Sequence, residues 1–298
     1  MKKKIAICIR GHIRTWDKCK DNIFQTFKHL ESVADVRWFF ISWDVQNFPK
    51  YYFDVDESLS SIQYSEDSTE FVDTDLSSIE NDFQGHHLAQ IKCVEFKKER
   101  HGAESFMFLS LAASHCIEDY EFHHNVNFDA IAVIRPDVIY KTTTKNILDM
   151  CDGIYNSNNH WALNATLNTV GEVCQYVSAV PCPINNRFSA KSEDSWAFQD
   201  LIYFGNPGVV NLLHDAYYKN KSRFPSTADI FPHATYGIQC MRYGIPALPI
   251  LTGPIIIRDI NYSGFDFQRD FDADVTDINI LYYKLTTNLW YAKEKKNV

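Results

Sequence analysis

The stretch Ala130–Tyr140 reads AIAVIRPDVIY. Its first five residues are all apolar, as expected of a strand buried on both faces of a sheet. Arg135, Pro136 and Asp137 then break the run, and apolar residues resume. Proline has no ladder donor and fixes its own φ, so a strand ends or bends there. A cation and a carboxylate on either side of it mark a polar strand end. In parallel α/β sheets ligands bind beyond the carboxyl ends of the strands, so RPD is placed where chemistry is expected.

The flanking sequence supports such a sheet. KIAICI (Lys4–Ile9) predicts a first, central strand ending in Arg-Gly. In the segment that follows, Ile23, Phe24, Phe27 and Leu30 are spaced as one helical face. DVRWFFISW (Asp35–Trp43) predicts a second strand, and strand–helix–strand implies a βαβ unit. SIQYS and EFVDT read as short strands among loops. Gly102–His124 carries strong helix formers and leads into the opening stretch. Downstream, a strand over Leu201–Phe204 meets a Gly-Asn-Pro-Gly turn, and Pro207 starts a helix running to Tyr218. PHATYGIQCMRYGIP predicts another helix and PALPILTGPIIIRD a final strand. WALNATLNTV and CQYVSAVPCPI fit either strands or helix and loop. The fold class expected is α/β, with a Rossmann-like first 140 residues built on a mainly parallel sheet.

Composition narrows the functions. The net charge of −9 argues against a general nucleic-acid binder. The acidity is local: Tyr51–Ile91 holds ten Asp or Glu and no Lys or Arg, so a basic pocket elsewhere is compatible with it. Phe and Tyr are frequent, at 21 and 16, which predicts heavy aromatic packing. The eight cysteines include no Cys-x-x-Cys pair, which argues against a zinc knuckle. They read as reduced thiols of a cytoplasmic protein, with peripheral membrane attachment as the alternative. The apolar run after MKKK is five residues long, too short for a signal peptide. No apolar segment is long enough to span a membrane.

Candidate site residues follow from strand ends. Arg10, Gly11, His12 and Arg14 close the first strand, where glycine admits an anion to the backbone and two arginines can pair with a diphosphate. The spacing matches neither the Walker loop nor the dinucleotide glycine motif, and a plain βα turn is the other reading. Asp137 suits a divalent metal, a sugar hydroxyl, a turn cap or an ion pair with Arg135. Asp200 precedes a strand, His233 starts a predicted helix, and Arg258 ends a strand. Trp16, Trp43 and Trp196 can stack on a base or sugar, or simply fill the core. The adjacent pairs His86–His87 and His123–His124 read as loop residues.

The order of these pieces resembles a broad set of glycosyltransferases from surface-polysaccharide and viral glycan gene clusters. The resemblance rests on Gly11, Arg14 and Asn22 after an apolar strand, then Ser42-Trp43 at the end of a second. It continues with Asp129, Arg135 and Asp137, then Asp200 and Gly205, then Tyr243-Gly244-Ile245, and finally Ile257-Arg258. It spans about Lys4 to Asp259. It implies a single GT-A-like domain: a nucleotide-binding half over 1–140, an acceptor half over 141–260 and an extension over 261–298. It further implies a nucleotide-sugar donor and a glycan or other hydroxyl acceptor. Arg10, Gly11, Arg14, Trp43, Arg135, Asp137 and Arg258 would bind the donor. Asp200 is the first candidate for catalytic base or acceptor contact and His233 the second. Asp137 would stand at the second Asp of an Asp-x-Asp motif and hold Mn²⁺ or Mg²⁺, or Arg14, Arg135 and Arg258 would serve without metal. The chain departs from the pattern at Arg135, where a carboxylate is usual, and at His233, where Glu is. Those departures keep two alternatives in view: a non-catalytic glycan-binding or assembly protein, and another anion-handling α/β transferase.

Overall fold

The structure, a computed structural model, describes residues 2–48, 70–97, 102–140, 162–164, 167–169, 196–198, 202–220, 236, 247–249 and 255–256. Strand β1 (Lys4–Arg10), helix α1 (Trp16–Val33) and strand β2 (Asp35–Trp43) form the opening βαβ unit. The hairpin β3 (Val45–Phe48) and β4 (Glu70–Asp73), helix α2 (Leu76–Asp82) and strand β5 (Leu88–Val94) follow. Helix α3 (Gly102–His124) leads into β6 (Ala130–Ile134) and β7 (Val138–Ile139). The later elements are β8 (Ala162–Asn164), β9 (Leu167–Thr169), β10 (Trp196–Phe198), β11 (Ile202–Gly205), α4 (Pro207–Asn220), β12 (Ala247–Pro249) and β13 (Ile255–Ile256).

A seven-stranded sheet in the order β12-β8-β11-β6-β1-β2-β5 organises these elements. β6, β1, β2 and β5 are mutually parallel. β11 runs antiparallel to both of its neighbours, and β12 is parallel to β8. The chain is thus α/β with a mainly parallel, Rossmann-like sheet.

Both faces of the sheet are covered, which is why its strands read as unbroken apolar runs. Ile5, Ile7 and Ile9 of β1 join Trp38 and Phe40 of β2 and Ala132 and Ile134 of β6 on one face. There they meet Cys19, Ile23, Phe27 and Leu30 of α1 and Ile79 of α2. The alternate residues Ala6, Cys8, Phe39, Ile41, Ile131 and Val133 face Met107, Ala113 and Ile117 of α3 and Val210 and Leu213 of α4. The strand period of two sorts each residue to its layer.

Several expectations are refined. The final strand is two short strands in different sheets, β12 and β13. WALNATLNTV holds β8 and β9, while SIQYS and CQYVSAVPCPI lie outside the described residues. Of the helix expected over PHATYGIQCMRYGIP only Tyr236 is described, and it is helical. His123 and His124 belong to the last turn of α3 and not to a loop. β5 and α2 went unpredicted, because β5 is only half buried and lacks the apolar density of the central strands. The 261–298 extension lies outside the described residues. Among the described residues no helix is long and apolar enough to cross a membrane.

Candidate functional site

The carboxyl ends of β1, β2 and β6 lie side by side, since Ile9 pairs with both Phe40 and Ile134. β11 enters the same edge from the opposite direction, with Ile202 opposite Ile134. Ile256, the last residue of β13, stands opposite Val138, next to Asp137. The sheet therefore gathers the β1–α1 loop, the RPD segment and the start of β11 at one edge.

Gly11 and Pro136 join the first two of these. Gly11 has φ of +140°, a region that side chains disfavour. A Cβ built there would sit 3.0 Å from Pro136 Cδ. Gly11 N–H donates to Ile41 O at 3.2 Å, and Ser42 Oγ donates to Gly11 O at 2.8 Å. The glycine is thus required by packing of the loop between Pro136 and the end of β2.

Arg135 grips Asp137 edge-on. Nε donates to Oδ1 at 2.8 Å and Nη2 to Oδ2 at 2.6 Å. Asp137 is 6% exposed. Its charge is felt on the α1 side: Cys19 is pushed up to about 12, mainly by burial and then by Asp137. Burial and then Asp137 likewise raise Tyr140. The segment after RPD is pinned by Asn22, whose Nδ2 donates to Tyr140 O at 2.8 Å while its Oδ1 accepts from Tyr140 N at 2.6 Å. Asn22 therefore works as a structural clamp between α1 and β7. Asp129, at the other end of β6, accepts from Lys4 N at 2.7 Å and closes the far edge of the sheet.

His12 completes the cluster. Burial first, and then Arg14, lower its pKa from 6.5 to about 3, while Asp137 pulls the other way. The ring is neutral at physiological pH. Its tautomer is set by Gln46, which is buried beneath it. Gln46 Nε2 donates to Trp43 O at 3.2 Å and to Thr74 Oγ1 at 2.5 Å, so its Oε1 faces the loop and accepts from Ile13 N at 2.6 Å. His12 also bonds to Gln46, and Nδ1 has no partner, so Nε2–H is the donor and Nδ1 an acceptor. Nothing in the sequence marked Gln46 or the protonation state of His12; both depend on contacts between distant segments.

Two expected donor contacts are corrected. Trp43 is 2% exposed and its indole packs against His12, Phe96 and Phe108, so it serves the core and offers no free ring face. Trp16 is likewise internal, stacked on Phe83 with Nε1 donating to Asp82 at 2.7 Å. Arg10 alternates with Ile9 and so points to the α3 face, where its Cζ lies 3.8 Å from the centroid of Phe106. Its charge acts on Tyr203 and His214, and that of Arg14 on His12. Asp200, His233 and Arg258 lie outside the described residues, as does Trp196's side chain.

Among the described residues Asp137 is not part of a metal-binding set. Both carboxylate oxygens already accept from Arg135, and among the described residues no group of three His, Cys, Asp or Glu could hold a metal. The thiols do not substitute: burial raises Cys8, and raises Cys93 and Cys116 to about 11. What the edge offers chemically is two arginines, one paired carboxylate, a neutral His acceptor and the N-terminus of α1 behind Thr15. A helix N-terminus and guanidinium groups favour an anion.

No family model matches the chain, and no curated protein matches it. Among solved structures, a Bacillus anthracis chain described as a glucose-1-phosphate thymidylyltransferase, in complex with a sucrose, is similar with a TM-score of 0.39 and 13% identity. The similarity covers 92% of this chain and 98% of that one. A similarity at that level assigns no function to this chain.

Proposed function

We propose that the chain is a GT-A-like glycosyltransferase that moves a sugar from a nucleotide-sugar donor to a glycan or other hydroxyl acceptor. The observation that carries the reading is the Arg135–Asp137 fork at the carboxyl end of β6, set beside Arg14, the neutral His12 and the start of α1. A sugar nucleotide departs as a nucleoside diphosphate, and negative charge builds on its β-phosphate. Arginines held at this edge stabilise that charge more in the transition state than in the ground state. The fork keeps Arg135 from swinging away, and His12 stands beside it as a neutral ring. Arg258 is proposed to add to the cation set. Asp200, two residues before β11, is proposed as the base that takes the acceptor proton, with His233 the second choice. Arginines in place of a metal make this proposed mechanism independent of Mn²⁺ and Mg²⁺.

Nucleotide-sugar hydrolysis tests the reading, with release of nucleoside diphosphate as the measurement. Arg14→Ala and Asp200→Ala should each lower kcat by about 10²-fold or more, with a smaller change in KM. One observation favours a second reading, a non-catalytic glycan-binding or assembly protein: Arg135 stands where the resembling enzymes carry a carboxylate. Turnover that is slow but abolished by Asp137→Ala would remove that reading; binding of a nucleotide sugar without any turnover would support it.

A further inference from the structure

Arg10 is a charged side chain within the core. It is 1% exposed, among the described residues no carboxylate pairs with it, and Nε and Nη2 have no hydrogen-bond partner. A buried guanidinium without a counter-ion is strongly unfavourable. Its surroundings hold the side chain in place without neutralising it. Phe106 of α3 covers one face of the guanidinium at 3.8 Å, and Tyr203 of β11 lies at 5.9 Å. The Tyr203 phenol accepts a hydrogen bond from Arg10. Since Nε and Nη2 are unpartnered, Nη1 is the donor. Tyr203 Oη is also hydrogen-bonded to His214 Nε2, and His214 Nδ1 to Ser114 Oγ at 2.6 Å. Burial and the charge of Arg10 hold His214 well below its ordinary pKa, so the relay stays neutral.

The unpaired atoms are informative. Nε and Nη2 form one edge of the guanidinium, the same edge with which Arg135 holds both oxygens of Asp137. Arg10 thus presents an oriented, desolvated fork at the carboxyl end of β1, on the sheet face opposite α1. Such a fork matches two oxygens of one anion. We propose that Arg10 is the recognition element of an oxyanion subsite, separate from the Arg14–Arg135–Asp137 cluster and taking a carboxylate or phosphate group. The subsite lies among Phe106, Tyr203 and Tyr236, with the Tyr203–His214–Ser114 relay as its rigid wall. It does not depend on the donor assignment made above.

The test is anion binding by the full chain, read as the rise in melting temperature over a titration with inorganic phosphate and, separately, with acetate. Four chains are compared: wild type, Arg10→Met, Arg10→Lys and Arg14→Ala. The subsite predicts that at least one anion stabilises the wild type and the Arg14→Ala chain, the tighter of the two naming the anionic group of the ligand. It predicts at least tenfold weaker apparent binding in both Arg10 variants, since lysine keeps the charge but not the fork. Arg10→Lys keeps the comparison decisive if Arg10→Met does not fold. The proposal is overturned if neither anion stabilises the wild type, if Arg10→Lys binds as the wild type does, or if Arg14→Ala abolishes the response. Loss of nucleoside diphosphate binding would refute the donor reading and leave this result intact.

Discussion

Gly11 and Pro136 meet across the carboxyl ends of β1 and β6, with only 3.0 Å between the proline Cδ and the position of a Cβ on the glycine. That contact sets how closely the β1–α1 loop approaches the RPD segment. Gly11→Ala should therefore destabilise the fold by about 1–3 kcal/mol, through both the positive φ and the clash. Denaturant unfolding of wild type and variant measures it; an unchanged midpoint would mean the loop relaxes freely and does not fix the site.

Asn22 bonds both the N–H and the C=O of Tyr140, in a buried position. Removing the amide takes away both of these buried hydrogen bonds, at about 1–3 kcal/mol each. Asn22→Ala should thus cost more than an average core truncation of the same size. Asn22→Asp keeps only the acceptor and should fall between the two. Equal stability of Asn22→Ala and wild type would refute the clamp.

His12 and His214 give the fold an acid sensitivity of known sign. Both have pKa values below the ordinary 6.5 in the folded chain, His12 near 3. Between about pH 6.5 and 3 the unfolded chain binds protons that the folded chain refuses, so stability falls as pH drops through that window. The His12→Gln chain should lose less melting temperature between pH 7 and pH 5 than the wild type. Parallel pH profiles would show that His12 titrates normally.

Cys8 and Cys19 should not react with a thiol reagent at pH 8 in the folded chain, because burial holds both thiols protonated. Counting modified cysteines by mass before and after denaturation checks this. Rapid native modification of either would show that the core around α1 and β1 opens readily.

Much of the sheet was readable because its strands are buried on both faces. The limits of β2 and of α3 follow directly from their apolar runs and flanking breaks. The RPD segment was identifiable as a strand end for the same reason. Side-chain roles were less accessible. In sequence Trp43 fits a stacking platform or a core filler, and the strand period turns it into the α3 layer. Arg10 and Arg14 are close in sequence, yet the strand period turns Arg10 toward Phe106 and Tyr203 of other elements. Gln46, Tyr203 and His214 have roles created by segments far apart in sequence, and no local pattern encodes them.

The central claim is that the edge holding Arg14, Arg135 and Asp137 binds a nucleoside diphosphate without a metal. The direct measurement is the melting temperature of the full chain with UDP, GDP, CDP or CMP, each with and without Mn²⁺. The account predicts that at least one nucleoside diphosphate raises it, equally with and without Mn²⁺, and that Arg14→Ala and Asp137→Ala weaken the rise. No rise with UDP, GDP or CDP, or a rise only in the presence of Mn²⁺, would contradict it.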